Sequence, residues 1–267
     1  MAPMGQAEAT GATFAGQREC FERDGYIVFD PQIPESTLDG ASARTEPEFR
    51  AEGRAERTLR RGKRAIRGRD KALSGRDPVR VQDAWTICEP VREIAMAPGV
   101  IELLRELYGR EPLPFQTINF RVGSQQHPHA DSWHFSSDPP GYMCGVWVAL
   151  EEIGPDQGPL VYYPGSHKVS ELSFERAGEL SGNAGYEHFV QQVIAEQGIK
   201  PEVGTMRKGQ AVLWSSDVIH GGAPQSDMSL TRWSQVTHYF FEGCTFWKPI
   251  DSDPGARRYF TPAFIPR

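Results

Sequence analysis

Three of the seven histidines in this chain fall within eight residues, in the segment QQHPHADSWHF. Alternate side chains of an extended segment point to the same side, so His129 and Asp131 are expected to project together. An imidazole and a carboxylate at that spacing can bind one metal ion from adjacent positions. His220, at the end of AVLWSSDVIH, is the leading candidate for a third ligand. Two histidines and one carboxylate form the facial triad that binds non-haem Fe(II) and leaves coordination positions open.

A second set of metal ligands that includes His127 is also possible. It has the same parity as His129, so His127, His129 and His220 could instead hold zinc, as in a metallohydrolase. A lone HxD pair is common by chance, and it does not decide between the two metals. Another residue is therefore needed to distinguish an iron site from a zinc site.

Arg232, twelve residues after His220, is that residue. If LTRWSQVTHYF is one long strand, its inward face carries Arg232, Ser234, Val236 and His238. An inward-facing arginine is rarely left unpaired. Beside a ferrous triad it would bind the far carboxylate of a dicarboxylate through a bidentate pair. An internal salt bridge to an acidic residue is the alternative.

The elements that must position these residues are predicted strands. From residue 112 to 242, short apolar and aromatic runs alternate with glycine and proline: LPFQTINFRV, MCGVWVALEEI, PLVYYPGSH, AVLWSSDVIH and TRWSQVTHYFF. Such runs at fairly regular spacing indicate a β-sandwich or barrel. One helix is expected among them, over residues 186–198.

The N-terminal third has a different pattern. Residues 13–111 are predicted to be largely helical, with a helix over 13–24, a strand over 26–29 and two short helices in 89–109 that break at Pro98. Residues 1–12 are expected to be disordered, and 243–267 form a C-terminal extension. Because no linker separates these parts, residues 1–267 are interpreted as a single domain.

Composition excludes several classes of protein. The 267 residues hold 35 acidic and 29 basic side chains, a net charge of −6. Segment 54–71 alone carries +7, so the remainder carries −13. A solvated segment is favoured over a nucleic-acid patch, because no aromatic residue interrupts it. No apolar run is long enough for a membrane span, and no secretory signal is recognisable, which favours a cytoplasmic protein with four reduced cysteines.

The ordered set HADSWHF, GVWVALEEIGPDQGPLVYYPGSHK, AVLWSSDVIHGGAP and TRWSQVTHYFF resembles the phytanoyl-CoA dioxygenase family. The resemblance covers residues 112–242, and FERDGYIVF is similar to the opening of that family. It implies a mainly β fold with flanking helices, built on a double-stranded β-helix (a jelly-roll, cupin-like core). It also implies Fe(II) as cofactor, 2-oxoglutarate as cosubstrate, and O2.

Carried onto this chain, the resemblance makes His129, Asp131 and His220 the iron ligands. Arg232, helped by Ser234, would hold the distal carboxylate of 2-oxoglutarate. The remaining candidates are Gln116 and Asn119, which reach the cosubstrate or bond locally, and Trp133, His134 and Trp147, which contact the substrate or pack in the core.

The reaction implied is oxidation of an unactivated C–H bond of a small molecule, with release of succinate and CO2. Hydroxylation of a specialised-metabolite (natural-product) intermediate is favoured. Oxidative cyclisation, desaturation or epimerisation of a sugar-containing or polycyclic metabolite is the alternative with the same cofactors. A zinc metallohydrolase and a non-catalytic jelly-roll binding protein stay open as other classes. A small molecule is the expected partner, without nucleic acid or membrane, and the oligomeric state is open.

Overall fold

The structure of this chain is a computed structural model, which describes residues 13–50, 66–69, 79–169, 182–253 and 255–267. Residues 1–12, and the basic segment 54–71 apart from residues 66–69, lie outside that description. The helices in the described ranges are α1 (Phe14–Asp24), α2 (Glu35–Arg50), α3 (Glu89–Ala95), α4 (Pro98–Tyr108) and α5 (Gly182–Gln197).

Strands make up most of the remaining regular structure. They are β1 (Tyr26–Phe29), β2 (Ile66–Arg69), β3 (Val79–Gln82), β4 (Pro112–Phe120), β5 (Ser136–Asp138), β6 (Met143–Ala149), β7 (Leu160–Tyr162), β8 (Glu202–Gly204), β9 (Ala211–Ser215), β10 (His220–Gly222), β11 (Ser234–Phe241), β12 (Thr245–Trp247) and β13 (Tyr259–Phe260).

The strands form antiparallel sheets. The largest has the order β1-β9-β6-β11-β4-β3-β2, and two smaller sheets have the orders β10-β7-β8 and β13-β12-β5. Helices α2, α3 and α4 cover one face of the large sheet, and the sheet β10-β7-β8 packs against its other face. The chain is therefore mainly β with flanking helices, as the sequence predicts.

The central strands are buried on both faces, and their side chains alternate between two cores. In β6, Cys144, Val146 and Val148 pack against the helices. Trp147 and Ala149 point the other way, into the space between the two sheets. That inner space is where the polar candidate residues converge.

The helices α1 and α4 end at the glycines that the sequence predicts as their C-terminal caps. Gly25 follows α1 with φ 82°, and Gly109 follows α4 with φ 65°, a conformation that glycine adopts without steric cost. Pro98 begins α4, at a position where its missing N–H costs no helical hydrogen bond. Strand β1 then pairs with β9 at the edge of the large sheet.

Several boundaries differ from the prediction. The strand expected to include Arg232 begins only at Ser234, and the helix expected from residue 186 begins at Gly182. Helix α2 lies in the part predicted to be largely helical but was not delimited from the sequence, because its buried side offers only Leu38, Ala41 and Thr45 and no continuous apolar stripe. Among the described residues, no helix has both the length and the apolar character needed to cross a bilayer.

Candidate active site

The two triad histidines are brought together by backbone pairing. The amide of His129 lies 2.9 Å from the carbonyl of His220, and the amide of His220 lies 2.9 Å from the carbonyl of His129. Asp131 is not in a strand but opens a 3-10 turn, Asp131–Trp133. One ligand atom from each of His129, Asp131 and His220 lies within 4.8 Å of the others. The strand-and-turn arrangement thus gathers the three predicted ligands around one point.

Both imidazoles are oriented for metal binding through Nε2. The Nδ1 atom of His129 is 2.8 Å from the carbonyl oxygen of His127, and the Nδ1 atom of His220 is 3.1 Å from that of Val218. A carbonyl only accepts hydrogen bonds, so each Nδ1 carries the hydrogen and each Nε2 keeps its lone pair. The Nε2 atoms lie 3.9 and 3.8 Å from Oδ1 of Asp131. These donors fit a divalent transition metal.

The second carboxylate oxygen of Asp131 is engaged elsewhere. Its Oδ2 accepts a 2.8 Å hydrogen bond from the indole Nε1 of Trp214 and lies 3.4 Å from Nε2 of His238. Burial alone would raise the pKa of Asp131, but the electrostatic effect of the neighbouring His220, His238 and His129 outweighs it and holds this pKa well below its usual range. Asp131 is therefore an ionised ligand that offers one oxygen, Oδ1, towards the histidines.

The indole of Trp214 fits this position because Gly145 has no side chain. Gly145 and Trp214 are paired across β6 and β9, and a Cβ atom on Gly145 would lie 2.6 Å from Cε2 of the indole. A larger residue would force the ring, and its hydrogen bond to Asp131, to move.

Trp214→Phe is expected to weaken Fe(II) binding by about 10–100-fold, because it removes the hydrogen bond that orients a metal ligand. Fe(II) titration under anaerobic conditions measures the effect. Trp133→Phe is the matched control, because the Trp133 Nε1 has no hydrogen-bond partner among the described residues. Equal affinities for Trp214→Phe and the wild type would contradict the positioning role.

A cavity of about 310 Å³ contains the triad. Arg232 lines it and is only 1% exposed, yet its Nε and Nη1 atoms have no hydrogen-bond partner in the described part of the chain. The guanidinium carbon lies 5.7 Å from the ring centres of both Phe120 and Trp147. Burial lowers the pKa of Arg232 to about 10, so it stays a cation at neutral pH. An unpaired buried cation is costly, and a ligand carboxylate would offset that cost.

The three residues predicted to contact the cosubstrate differ in their position relative to the cavity. Gln116 and Asn119 lie on opposite faces of β4, and Ser234 lies on β11. Gln116 lines the cavity, and its Oε1 lies 3.0 Å from Nδ1 of His238. Asn119 lies outside the cavity lining and donates a 3.2 Å hydrogen bond to Gln235. Ser234 is also outside the lining, and its hydroxyl donates to the carbonyl of Arg232 at 3.3 Å. The structure thus brings Gln116 to the triad but not Asn119 or Ser234.

The candidate substrate contacts divide in a similar way. His134 and Trp147 line the cavity. Trp133 points away from it and stacks on Tyr186, with ring centres 4.6 Å apart. His127 is exposed and lies outside the cluster of ligand atoms, and its carbonyl fixes His129 instead. The alternative zinc set is therefore not assembled.

Among the cavity-lining residues with no predicted role in the site, three are polar residues on which the description of the site depends: His238, Trp214 and Lys248. His238 shares the inward face of β11 with Val236, a parity that the sequence showed, but its contact with Asp131 depends on the fold. Trp214 lay within a predicted strand. Lys248 lies in the extension after residue 242, in which no motif was recognised.

His134 is expected to make stability depend on pH. Burial, the largest cause, lowers its pKa from 6.5 to about 4. The unfolded chain takes up a proton near pH 6.5, and the folded chain does not until about pH 4, so the free energy of unfolding falls as the pH drops through this window. Its contribution there is up to about 3 kcal/mol.

Chemical denaturation of the wild type and His134→Gln between pH 7 and 4 measures this contribution. The His134→Gln variant should lose less stability, whereas the exposed control His188→Gln should follow the wild type. Parallel curves for all three proteins would contradict the assignment.

An antiparallel β fold whose inner cavity holds two histidines, one carboxylate and a buried arginine has the ligand set of the non-haem Fe(II) oxygenase class. Within this class, the chain belongs to the phytanoyl-CoA dioxygenase (PhyH) family, whose model matches residues 21–229. Enzymes of this family use Fe(II), 2-oxoglutarate and O2.

Curated relatives share this domain. Phytanoyl-CoA dioxygenase domain-containing protein 1 of Danio rerio is 25% identical over 166 residues, which are 60% of this chain and 56% of that protein. A probable phytanoyl-CoA dioxygenase of Caenorhabditis elegans is 24% identical over 220 residues, covering 78% of this chain and 69% of that protein. The chain thus spans somewhat more than half of the length of the first relative.

Solved structures confirm the jelly-roll fold. The epimerase SnoN from nogalamycin biosynthesis has a TM-score of 0.70 at 17% identity, with 95% of this chain and 98% of that chain covered. EctD from S. alaskensis has a TM-score of 0.63 at 19% identity, with 97% and 89% covered. SnoN has been crystallised with Fe3+ and alpha ketoglutarate, and EctD with 2-oxoglutarate and 5-hydroxyectoine.

Proposed function

We propose that this oxygenase hydroxylates an unactivated C–H bond of a small specialised-metabolite intermediate, with conversion of 2-oxoglutarate into succinate and CO2. The observation that carries the proposal is Arg232, a buried guanidinium with unpaired nitrogens in the cavity that holds the triad. That arrangement suits a ligand with one carboxylate for the arginine and a second polar end for the metal.

In this proposal, the metal and the cosubstrate are bound by different residues of the cavity. His129, Asp131 and His220 hold Fe(II), and Arg232 holds the distal carboxylate of 2-oxoglutarate. Bound Fe(II) would supply the redox chemistry, with O2 as the oxidant of the C–H bond and 2-oxoglutarate as the donor of the two further electrons that reduce O2. Trp214 and His238 keep Oδ2 of Asp131 in place, so that the carboxylate stays oriented when ligands exchange.

The walls of the cavity position the substrate and exclude water. Ile118, Phe120, Trp147 and Val236 line it from the large sheet. An apolar wall beside the metal site holds one carbon of the substrate near the oxidant and keeps bulk water from competing. Gln116 and His134 offer hydrogen bonds that fix the orientation of a polar group.

Epimerisation or oxidative cyclisation is the second candidate. It is supported by two structural neighbours from nogalamycin biosynthesis, the epimerase SnoN and the carbocyclase SnoK, each with a TM-score of 0.70. Product masses separate the reactions. Hydroxylation adds one oxygen atom, epimerisation leaves the mass unchanged, and cyclisation or desaturation removes two hydrogens.

The organisation and location of the protein are part of the proposal. Residues 1–267 form a single domain, supported by a core that helices α2, α3 and α4 share with the large sheet. A cytoplasmic location is supported by the four cysteines, Cys20, Cys88, Cys144 and Cys244, all of which are free.

The test is turnover of 2-oxoglutarate. Purified protein with Fe(II), ascorbate, 2-oxoglutarate and air is incubated with fractions of small-molecule extracts, and succinate and product masses are measured. We expect succinate to form in step with an oxidised product. Succinate should be absent without O2 and strongly reduced in Arg232→Leu. A protein that consumes no 2-oxoglutarate with any fraction would contradict the proposal.

A further inference from the structure

The fixed charges of the cavity are unlike those of the whole chain. The chain carries a net charge of −6, yet the cavity is lined by three permanent cations, Arg80, Arg232 and Lys248, and by one carboxylate, Asp131. A cleft with a surplus of one sign of charge raises the local concentration of ligands of the opposite sign. The cavity is therefore built for anions.

The cosubstrate accounts for only part of that surplus. In the proposed function, the three negative charges of Asp131 and the 2-oxoglutarate dianion are matched by the three positive charges of Fe(II) and Arg232. Lys248 and Arg80 remain in addition. Arg80 already has an interaction partner, so Lys248 is the cation that a further ligand would meet.

Lys248 is held in place but has no carboxylate partner. Its amide donates to Arg258 at 3.1 Å, and its carbonyl accepts a 2.6 Å hydrogen bond from the hydroxyl of Ser252. Among the described residues, no carboxylate lies within salt-bridge distance of its ammonium group. By contrast, Lys208 contacts two carboxylates, those of Glu35 and Asp39.

Two aromatic rings lie beside the ammonium group. Nζ of Lys248 lies 5.8 Å from the ring centre of Phe135 and 5.0 Å from that of Phe260. Phe135 also lines the cavity. A ligand at this place meets one positive charge beside an apolar surface, which suits an oxyanion attached to an aryl or alkyl group.

From this geometry we propose that Lys248 binds an oxyanion of the substrate, a carboxylate or a phosphate, while Phe135 contacts the adjoining apolar part. The inference rests on the proposed function and narrows its substrate to an organic anion. Lys248 is then a specificity residue, since a neutral analogue of the same shape leaves its charge without a partner in the occupied cavity.

Matched ligands test the charge directly. The enzyme is reconstituted anaerobically with Fe(II) and saturating 2-oxoglutarate, which occupies Arg232. Phenylacetate and hexanoate are titrated by calorimetry beside phenylacetamide and hexanamide, and phenyl phosphate is titrated beside its neutral dimethyl ester. We expect at least one anion to bind about tenfold or more tightly than its neutral partner. The carboxylate and phosphate arms identify which oxyanion the site prefers.

Substitutions at Lys248 test whether this residue causes the preference for anions over neutral ligands. Lys248→Met keeps the length of the side chain and should abolish the preference for anions, whereas Lys248→Arg should retain it. Lys200→Met removes the same charge from an exposed position outside the cavity lining and should behave like the wild type. Melting temperatures of all variants show that each one folds.

Two results would overturn the proposal: anions that bind no better than their neutral partners, or a preference that survives in Lys248→Met. Failure of the proposed function is seen separately, as absence of Fe(II)-dependent 2-oxoglutarate binding. In that event, the titrations are repeated on metal-free Arg232→Leu, where Lys248 should still select the anion.

Discussion

Asp131→Ala is expected to weaken Fe(II) binding by more than about 100-fold and to abolish 2-oxoglutarate turnover. Loss of a hydrogen bond to a metal ligand costs about 10–100-fold in affinity, so loss of the ligand itself costs more. Asp131 is also the only carboxylate among the described cavity-lining residues. Without it, the site keeps two neutral imidazoles and no charge to match the metal.

Anaerobic Fe(II) titration and succinate release measure this effect. Asp251→Ala is the control, because Asp251 is exposed and outside the cavity lining. His129→Ala should resemble Asp131→Ala, whereas His127→Ala should stay close to the wild type. If His127→Ala lost the metal and Asp131→Ala kept it, the three-histidine zinc set would replace the iron triad.

Arg232→Leu is expected to raise the Kd for 2-oxoglutarate by about 100-fold, equivalent to about 3 kcal/mol, because a buried charge pair with the distal carboxylate is lost. The same change should stabilise the ligand-free protein by about 1–2 kcal/mol, since it removes a buried cation whose Nε and Nη1 atoms have no partner. Binding and stability are thus expected to move in opposite directions.

The two effects are measured by 2-oxoglutarate titration and by denaturant unfolding without ligands. Arg207→Leu, at an exposed position, is the control for loss of an arginine. A structural salt bridge, the alternative interpretation of Arg232, gives the opposite stability result. Clear destabilisation of ligand-free Arg232→Leu with unchanged 2-oxoglutarate affinity would therefore contradict the assignment.

Local chemistry explains which features the sequence could predict. Gly25 and Gly109 end helices because of their own backbone freedom, and Pro98 starts one for a similar local reason. Alternation along β11 placed Val236 and His238 on one face, and both line the cavity. Such signals need only neighbouring residues, so a single sequence contains them.

The remaining features depend on contacts between distant segments. The hydrogen bond from Trp214 to Asp131 spans 83 residues of sequence, and it needs both the bare Gly145 and the register of β6 against β9. No local pattern encodes it. For the same reason, Lys248 enters the cavity from an extension that carries no motif of its own.

Strand parity also separates two candidates that the sequence treated together. Gln116 and Asn119 are three residues apart on β4, so their side chains leave opposite faces. Gln116 reaches the cavity, and Asn119 bonds to Gln235. A motif borrowed from related enzymes named both positions, whereas strand geometry allows only one to face the metal site.

We propose that one cavity binds Fe(II) through His129, Asp131 and His220 and 2-oxoglutarate through Arg232. Calorimetric titration of 2-oxoglutarate into anaerobic protein, with and without Fe(II), measures whether the two ligands bind together. We expect one equivalent to bind, much tighter binding when Fe(II) is present, and loss of this enhancement in Asp131→Ala. Equal 2-oxoglutarate affinity with and without Fe(II) in the wild-type protein would contradict it.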